Sequence, residues 1–160
     1  MDALARLGME SDLPRDIQNT EAIDTVFEDC KDFFIKRDGI TYAGNHLLID
    51  FWNARNLDDP DQIDATLRRA AEAAGATILH GHFHHFTPNG GVSGVLVLAE
   101  SHISIHTWPE RHFAAVDIFM CGVCDPNMSV PVMQELFQAG RVEIDAFRRG
   151  RVSETRHTGR

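Results

Sequence analysis

The sequence predicts an α+β fold in which a mainly antiparallel sheet carries helices on one face. Two observations lead there. Segments alternating with period 2 outnumber those of helical period, and only two core helices fall between the extended segments. Turn residues punctuate the boundaries, as at Asp38-Gly39, Gly44-Asn45 and the Thr-Pro-Asn-Gly-Gly run at 87–91. At 160 residues the chain fits one domain of ordinary size, large enough to bury a core without staples.

Residues 1–16 hold Pro14 and scattered charges without a sustained period, which predicts a loose arm. Ile23, Val26, Phe27, Cys30, Phe33 and Phe34 then recur at helical spacing, predicting an amphipathic helix over 20–37, with Cys30 on its apolar stripe as a packing residue. Arm and helix together make an N-terminal unit at 1–40, followed by a domain at 41–152 and a polar tail at 153–160. His46–Trp52 alternates as a strand. Asp59-Pro60 is a helix start, a capping carboxylate before a proline at the first helical position. Ile63, Leu67, Ala70, Ala71 and Ala74 give that helix one apolar face, and Gly75 ends it. Further strands are expected over 76–86, 92–99, 113–121 and 141–148, with a second helix over 130–139 ended by Gly140.

The densest functional pattern is Ala-Glu-Ser-His-Ile-Ser-Ile-His-Thr-Trp-Pro-Glu at 99–110. Ile103 and Ile105 alternate with His102, Ser104 and His106, so one face of this strand is apolar and the other carries imidazoles and a hydroxyl. Any half-solvated antiparallel strand alternates too, so spacing alone leaves a structural role open. Ser101 and His106 differ by five positions and fall on opposite faces of a regular strand; no Gly-x-Ser-x-Gly elbow relieves that conflict.

Composition excludes other classes. A net charge of −9, from 24 acidic and 15 basic residues, argues against a general nucleic-acid binder and suits a cationic small molecule. No run is long and apolar enough for a membrane span, and residues 1–12 lack the pattern of a signal peptide, so the chain reads as cytoplasmic. Its three cysteines read as thiols rather than a disulfide framework. His80, His82 and His84 share a strand face, but alternate strand residues stand about 6.5–7 Å apart and converge poorly on one ion. No metal is therefore assigned to them or to the neighbouring His85. The Cys121-x-x-Cys124 pair has neither a second pair nor a redox-type strand-helix context. No glycine-rich phosphate loop is present.

Phe-His-His-Phe at 83–86, Gly-Val-Ser-Gly-Val at 91–95, the Glu-Ser-His through Trp-Pro-Glu run at 100–110 and the later Cys121 resemble the prokaryotic S-adenosylmethionine decarboxylases. These are pyruvoyl enzymes of polyamine synthesis, and the resemblance spans residues 44–152. It implies a two-layer α/β sandwich that cuts itself between Glu100 and Ser101. The Ser101 hydroxyl attacks the preceding carbonyl to give an ester, β-elimination releases the upstream chain, and hydrolysis of the dehydroalanine leaves a pyruvoyl group and ammonia. By the same resemblance Ser93 and His106 assist processing, with His106 the proton acceptor, and Cys121 is the catalytic proton donor. Phe86 stacks on adenine and Glu110 holds the ribose hydroxyls. The pyruvoyl carbonyl, made from Ser101, forms a Schiff base with S-adenosylmethionine. The implied product is the aminopropyl donor for spermidine, and the implied assembly a homodimer with sites between subunits, which the helix at 20–37 would extend. A pyruvoyl-dependent ornithine or arginine decarboxylase on the same scaffold, or a histidine-rich metal-binding module, is the alternative reading.

Overall fold

The computed structural model describes residues 33–152. The predicted arm, residues 20–32 of the predicted N-terminal helix and the polar tail lie outside that range. The end of the helix prediction needs correction: Ile35–Arg37 is not helical but forms strand β1, antiparallel to β2 (Ile40–Tyr42). Asp38 and Gly39 join them at φ of 54° and 73°. Two consecutive left-handed residues make the Asp-Gly turn that matches the twist of a hairpin, and this local geometry is incompatible with a helix running to residue 37.

A six-stranded sheet forms the body of the molecule. It comprises β3 (Gly44–Trp52), β4 (Ile78–His85), β5 (Val92–Leu98), β6 (Ser101–Trp108), β7 (Phe113–Cys121) and β8 (Arg141–Arg149), in the spatial order β4-β5-β6-β7-β3-β8. Every neighbouring pair is antiparallel. Helices α1 (Pro60–Ala73) and α2 (Ser129–Phe137) pack on one face and on each other, completing a two-layer α/β sandwich.

Strand parity decides which residues meet the helices. Leu47, Ile49 and Phe51 of β3, Leu96 and Leu98 of β5, Ile103 and Ile105 of β6, and Val116, Ile118 and Met120 of β7 all point inward. They bury against Ile63, Leu67, Ala70 and Ala71 of α1 and Met133 and Phe137 of α2. Gly94 belongs to this inner face, where the Phe83 ring of the neighbouring strand lies over it so closely that a β-carbon would collide. The second glycine of the Gly-Val-Ser-Gly motif thus makes room for an aromatic ring.

Both helices start where the sequence predicts to within a residue. One Asp59 carboxylate oxygen accepts hydrogen bonds from the backbone N–H groups of Asp61 and Gln62 at 3.0 and 3.1 Å, and Gly75 follows the helix at φ 80°. Helix α2 ends earlier than expected. Gln138, not Gly140, takes the left-handed position at φ 44°, donating its N–H to the Gln134 carbonyl.

Candidate active site

Strands β5 and β6 are joined by a two-residue turn, Ala99–Glu100, with Leu98 paired to Ser101. Glu100 adopts a φ of 52°. A left-handed non-glycine residue stores strain, of the order of 1–3 kcal/mol. The bond that follows it leads into Ser101, which is 9 % exposed and shares the inner face with Ile103 and Ile105. The Ser101 Oγ accepts a hydrogen bond from the Cys121 N–H at 3.3 Å, which ties the start of β6 to the end of β7.

Cys121 alternates with buried Met120 and so belongs to the opposite, open face of the sheet. Burial, then the nearby charge of Glu100, then Cys124 push its thiol above the ordinary cysteine value. Gly44, its register partner on β3, lets the sulfur approach. A β-carbon there would stand 3.2 Å from Cys121 Sγ and only 2.6 Å from the Met120 carbonyl. Cys124 is engaged elsewhere, its thiol donating to the Gly75 carbonyl at 3.4 Å.

At the other end of β6 a second cluster forms. Ser93 on β5 pairs in register with His106 on β6, and one hydrogen bond of 2.7 Å joins Ser93 Oγ to His106 Nδ1. Both line a cleft of about 430 Å³ together with Phe86, Trp108 and Glu110. Phe86 follows the end of β4, and Glu110 lies in the 3-10 turn Pro109–Arg111 after β6. Aromatic surface beside a carboxylate suits a nucleoside-like guest.

Thr107 holds this cluster from beneath. Its buried hydroxyl donates to the Leu57 carbonyl at 2.7 Å and accepts the Val92 N–H at 2.7 Å, fixing the start of β5 against β6 and the loop before α1. Thr107→Val keeps the shape but leaves two buried backbone groups unpaired. Urea unfolding is expected to show a loss of roughly 2–4 kcal/mol; an unchanged midpoint would show that water satisfies both groups.

The two clusters are far apart within one chain. Ser101 and His106 are separated by five strand steps, about 16 Å at roughly 3.3 Å per residue, and occupy opposite faces. The opposite-face parity read from the sequence therefore holds, with the irregularity confined to Glu100. Between the clusters, the open face carries His102 stacked on Phe119 (ring centroids 5.9 Å apart) and His46 3.6 Å from the Asp117 carboxylate. That 3.6 Å is an ion-pair distance too long for a hydrogen bond, so His46 Nε2 is left buried without a partner. Burial, reinforced by His46, lowers the pKa of His102 despite Asp117. His80, His82 and His84 lie along edge strand β4 on the open face, in register with Val97, Val95 and Ser93. Among the described residues no three His, Cys, Asp or Glu side chains converge to hold a metal ion.

A serine placed after a left-handed residue at a tight turn and held by the backbone N–H of a cysteine, with a serine–imidazole pair in a separate cleft, suits a self-processing enzyme on a sandwich scaffold. The comparisons with known proteins make that class specific. Residues 45–150 match the family model for S-adenosylmethionine decarboxylase. The chain is 38 % identical over 110 residues to an S-adenosylmethionine decarboxylase proenzyme of Thermomicrobium roseum, covering 68 % of this chain and 95 % of that one. It is 41 % identical over 110 residues to a proenzyme of the same name from Methanococcus maripaludis, covering 67 % of this chain and 89 % of the relative. The crystal structure of the adenosylmethionine decarboxylase from Aquifex aeolicus superposes with a TM-score of 0.64 at 32 % identity, over 71 % of this chain and 95 % of that one. The chain belongs to the S-adenosylmethionine decarboxylase family.

Sequence reasoning singled out Ser101, Cys121, Ser93, His106, Phe86 and Glu110 but not their partition between the ends of β6. It also passed over the Thr107 clamp and the approach allowed by Gly44. A threonine continuing the inward alternation of Ile103 and Ile105, and a glycine opening a strand, were the available signals.

Proposed function

We propose that this chain is a self-processing decarboxylase that converts S-adenosylmethionine to its decarboxylated form, the aminopropyl donor for spermidine synthesis, using a pyruvoyl group made from Ser101. The observation that carries the reading is the Glu100–Ser101 turn, where a strained left-handed residue precedes a serine whose hydroxyl is already held by the Cys121 N–H. The residues present fit the group: the Ser101 hydroxyl at the new chain start is held by the Cys121 N–H, on a strand end that leaves its carbonyl carbon bonded to residue 102. When formed, the pyruvoyl group supplies an electron sink for the bond to the departing carboxylate.

The remaining work falls to side chains. Cys121, whose thiol is pushed above the ordinary cysteine value by burial and by Glu100, would return a proton to the substrate carbon. Phe86 offers a ring to the purine, and Glu110 offers two acceptor oxygens to the ribose hydroxyls. Ser93 and His106, joined by their hydrogen bond, are suited to polarise the Glu100 carbonyl and to take the proton from the Ser101 Cα during self-cleavage. An anionic protein surface favours the sulfonium-bearing substrate. A cleft with an aromatic ring and a carboxylate but no lining Lys or Arg favours the nucleoside over ornithine or arginine only through Phe86 and Glu110.

The separation of about 16 Å between Ser101 and His106 supports a homodimer whose sites are shared. One copy would give Glu100, Ser101 and Cys121, and the other Ser93, His106, Phe86 and Glu110. The open sheet face, with exposed Leu48, Val97, Trp108 and Phe147, is the apolar surface such a pairing would cover.

Two inactive variants test both the reaction and the sharing. Cys121→Ala and Glu110→Ala chains, each inactive alone in carbon dioxide release from labelled S-adenosylmethionine, are co-expressed at equal amounts so that they assemble together. Shared sites restore about one quarter of wild-type activity, since half the dimers are mixed and each holds one intact site. No recovery would place the site within a single chain. Release from ornithine or arginine instead would overturn the substrate assignment.

A further inference from the structure

The cleft's aromatic residue is not free-standing. Phe86 is 48 % exposed and follows the last residue of β4, where a lone ring would rotate about its own Cα–Cβ bond. It is held instead by His84, two residues earlier on the open face. The two rings meet edge to face, with centroids 4.6 Å apart and planes at 73°. The backbone continues the restraint, since the Phe86 N–H donates to the Gly91 carbonyl at 2.7 Å and its carbonyl accepts from the Gly90 N–H at 2.8 Å.

His84 also stands in register with Ser93, which is hydrogen-bonded to His106. Three adjacent strands therefore present His84, Ser93 and His106 in one transverse row, and Phe86 leans from the end of that row over the cleft. His84 itself does not line the cleft. Its contact is with the ring, so it acts on a guest only through Phe86.

We infer that His84 is a positioning residue for the nucleoside part of the substrate, its imidazole edge-packing against Phe86 to fix the ring in the orientation that stacks on a purine. This rests on the reading of Phe86 as the adenine platform. The required property is an aromatic body, not a titrating group, so phenylalanine can replace it and alanine cannot. An offset or edge-to-face aromatic pair is worth enough to change occupancy of the stacking orientation about three- to tenfold.

The test uses the processed enzyme and 5′-methylthioadenosine, which carries the purine and ribose but no amine to react with a carbonyl. Calorimetry is run on wild type and on His84→Ala, His84→Phe and Phe86→Ala, with KM and kcat for S-adenosylmethionine and the rate of self-cleavage measured alongside. The inference expects His84→Ala to weaken binding and raise KM about three- to tenfold with kcat and self-cleavage unchanged, and His84→Phe to match wild type. If Phe86→Ala weakens binding while His84→Ala does not, the inference is wrong and the platform reading stands. If neither does, the platform reading fails and the inference with it. A His84→Ala protein with lowered kcat at unchanged KM, or a His84→Phe protein as weak as His84→Ala, would equally overturn it.

Discussion

Ser101→Ala is expected to remain a single chain of 160 residues on denaturing electrophoresis, and the wild type to yield fragments 1–100 and 101–160. Decarboxylation should fall to background. In the proposed reaction the hydroxyl displaces the Ser101 nitrogen from the Glu100 carbonyl carbon, and without it neither the ester nor the pyruvoyl carbonyl could form. Folding is not at issue, because the side chain is small and its one hydrogen bond accepts a strand-end N–H. Circular dichroism should overlay that of wild type. A variant that still cleaves, or an intact one that still releases carbon dioxide, would remove Ser101 from the centre of the mechanism.

The second large effect concerns Cys121. Cys121→Ala should self-cleave at the wild-type rate yet lose about 10²–10⁴ in kcat, the usual contribution of a positioned general acid. Its pH dependence follows from the direction of the thiol shift. A proton donor works only while protonated, and burial together with Glu100 and Cys124 raises the pH at which the proton is lost. The fall in kcat on the alkaline side should therefore begin above the ordinary cysteine range and disappear from the residual activity of the alanine variant. Cys124→Ser, whose hydroxyl can still donate to the Gly75 carbonyl, is expected to keep both kcat and the alkaline limb. A limb that moved with Cys124 instead would assign the proton to the wrong thiol.

Most of the sandwich was legible because its signals are local. Alternation in residues 101–108 marks the strand and its two faces, and Asp59-Pro60 marks a helix start whatever the rest of the chain does. Ends set by neighbours were less readable. Helix α2 stops at Gln138 although Gly140 is the better left-handed residue, and Gly140 instead lies against Asn53, where a β-carbon would come within 3.1 Å of the asparagine's own. Residues 35–37 carry helical periodicity from the segment before them but obey the Asp38-Gly39 turn. In the candidate site the residue types and their order were readable from the motif run. Their division into two groups was not, since it depends on the length of β6 in three dimensions and on which sheet neighbour each residue meets. The edge contact of His84 on Phe86 was equally invisible, because Phe-His-His-Phe gives no hint of which ring leans on which.

The strand order decides what the protein would become once the bond after Glu100 is cut as proposed. The first fragment holds β3, β4 and β5, the second β6, β7 and β8, and across the sheet they run first, first, second, second, first, second. Three of the five ladders thus join one fragment to the other. Neither piece can leave without opening the sheet, and neither keeps more than two adjacent strands of its own to fall back on. An uncut chain carries all six strands and is expected to regain its fold after denaturation at a rate independent of concentration. A chain cut as proposed would have to find its other half, so the cut that creates the reactive group would also make refolding in dilute solution depend on concentration.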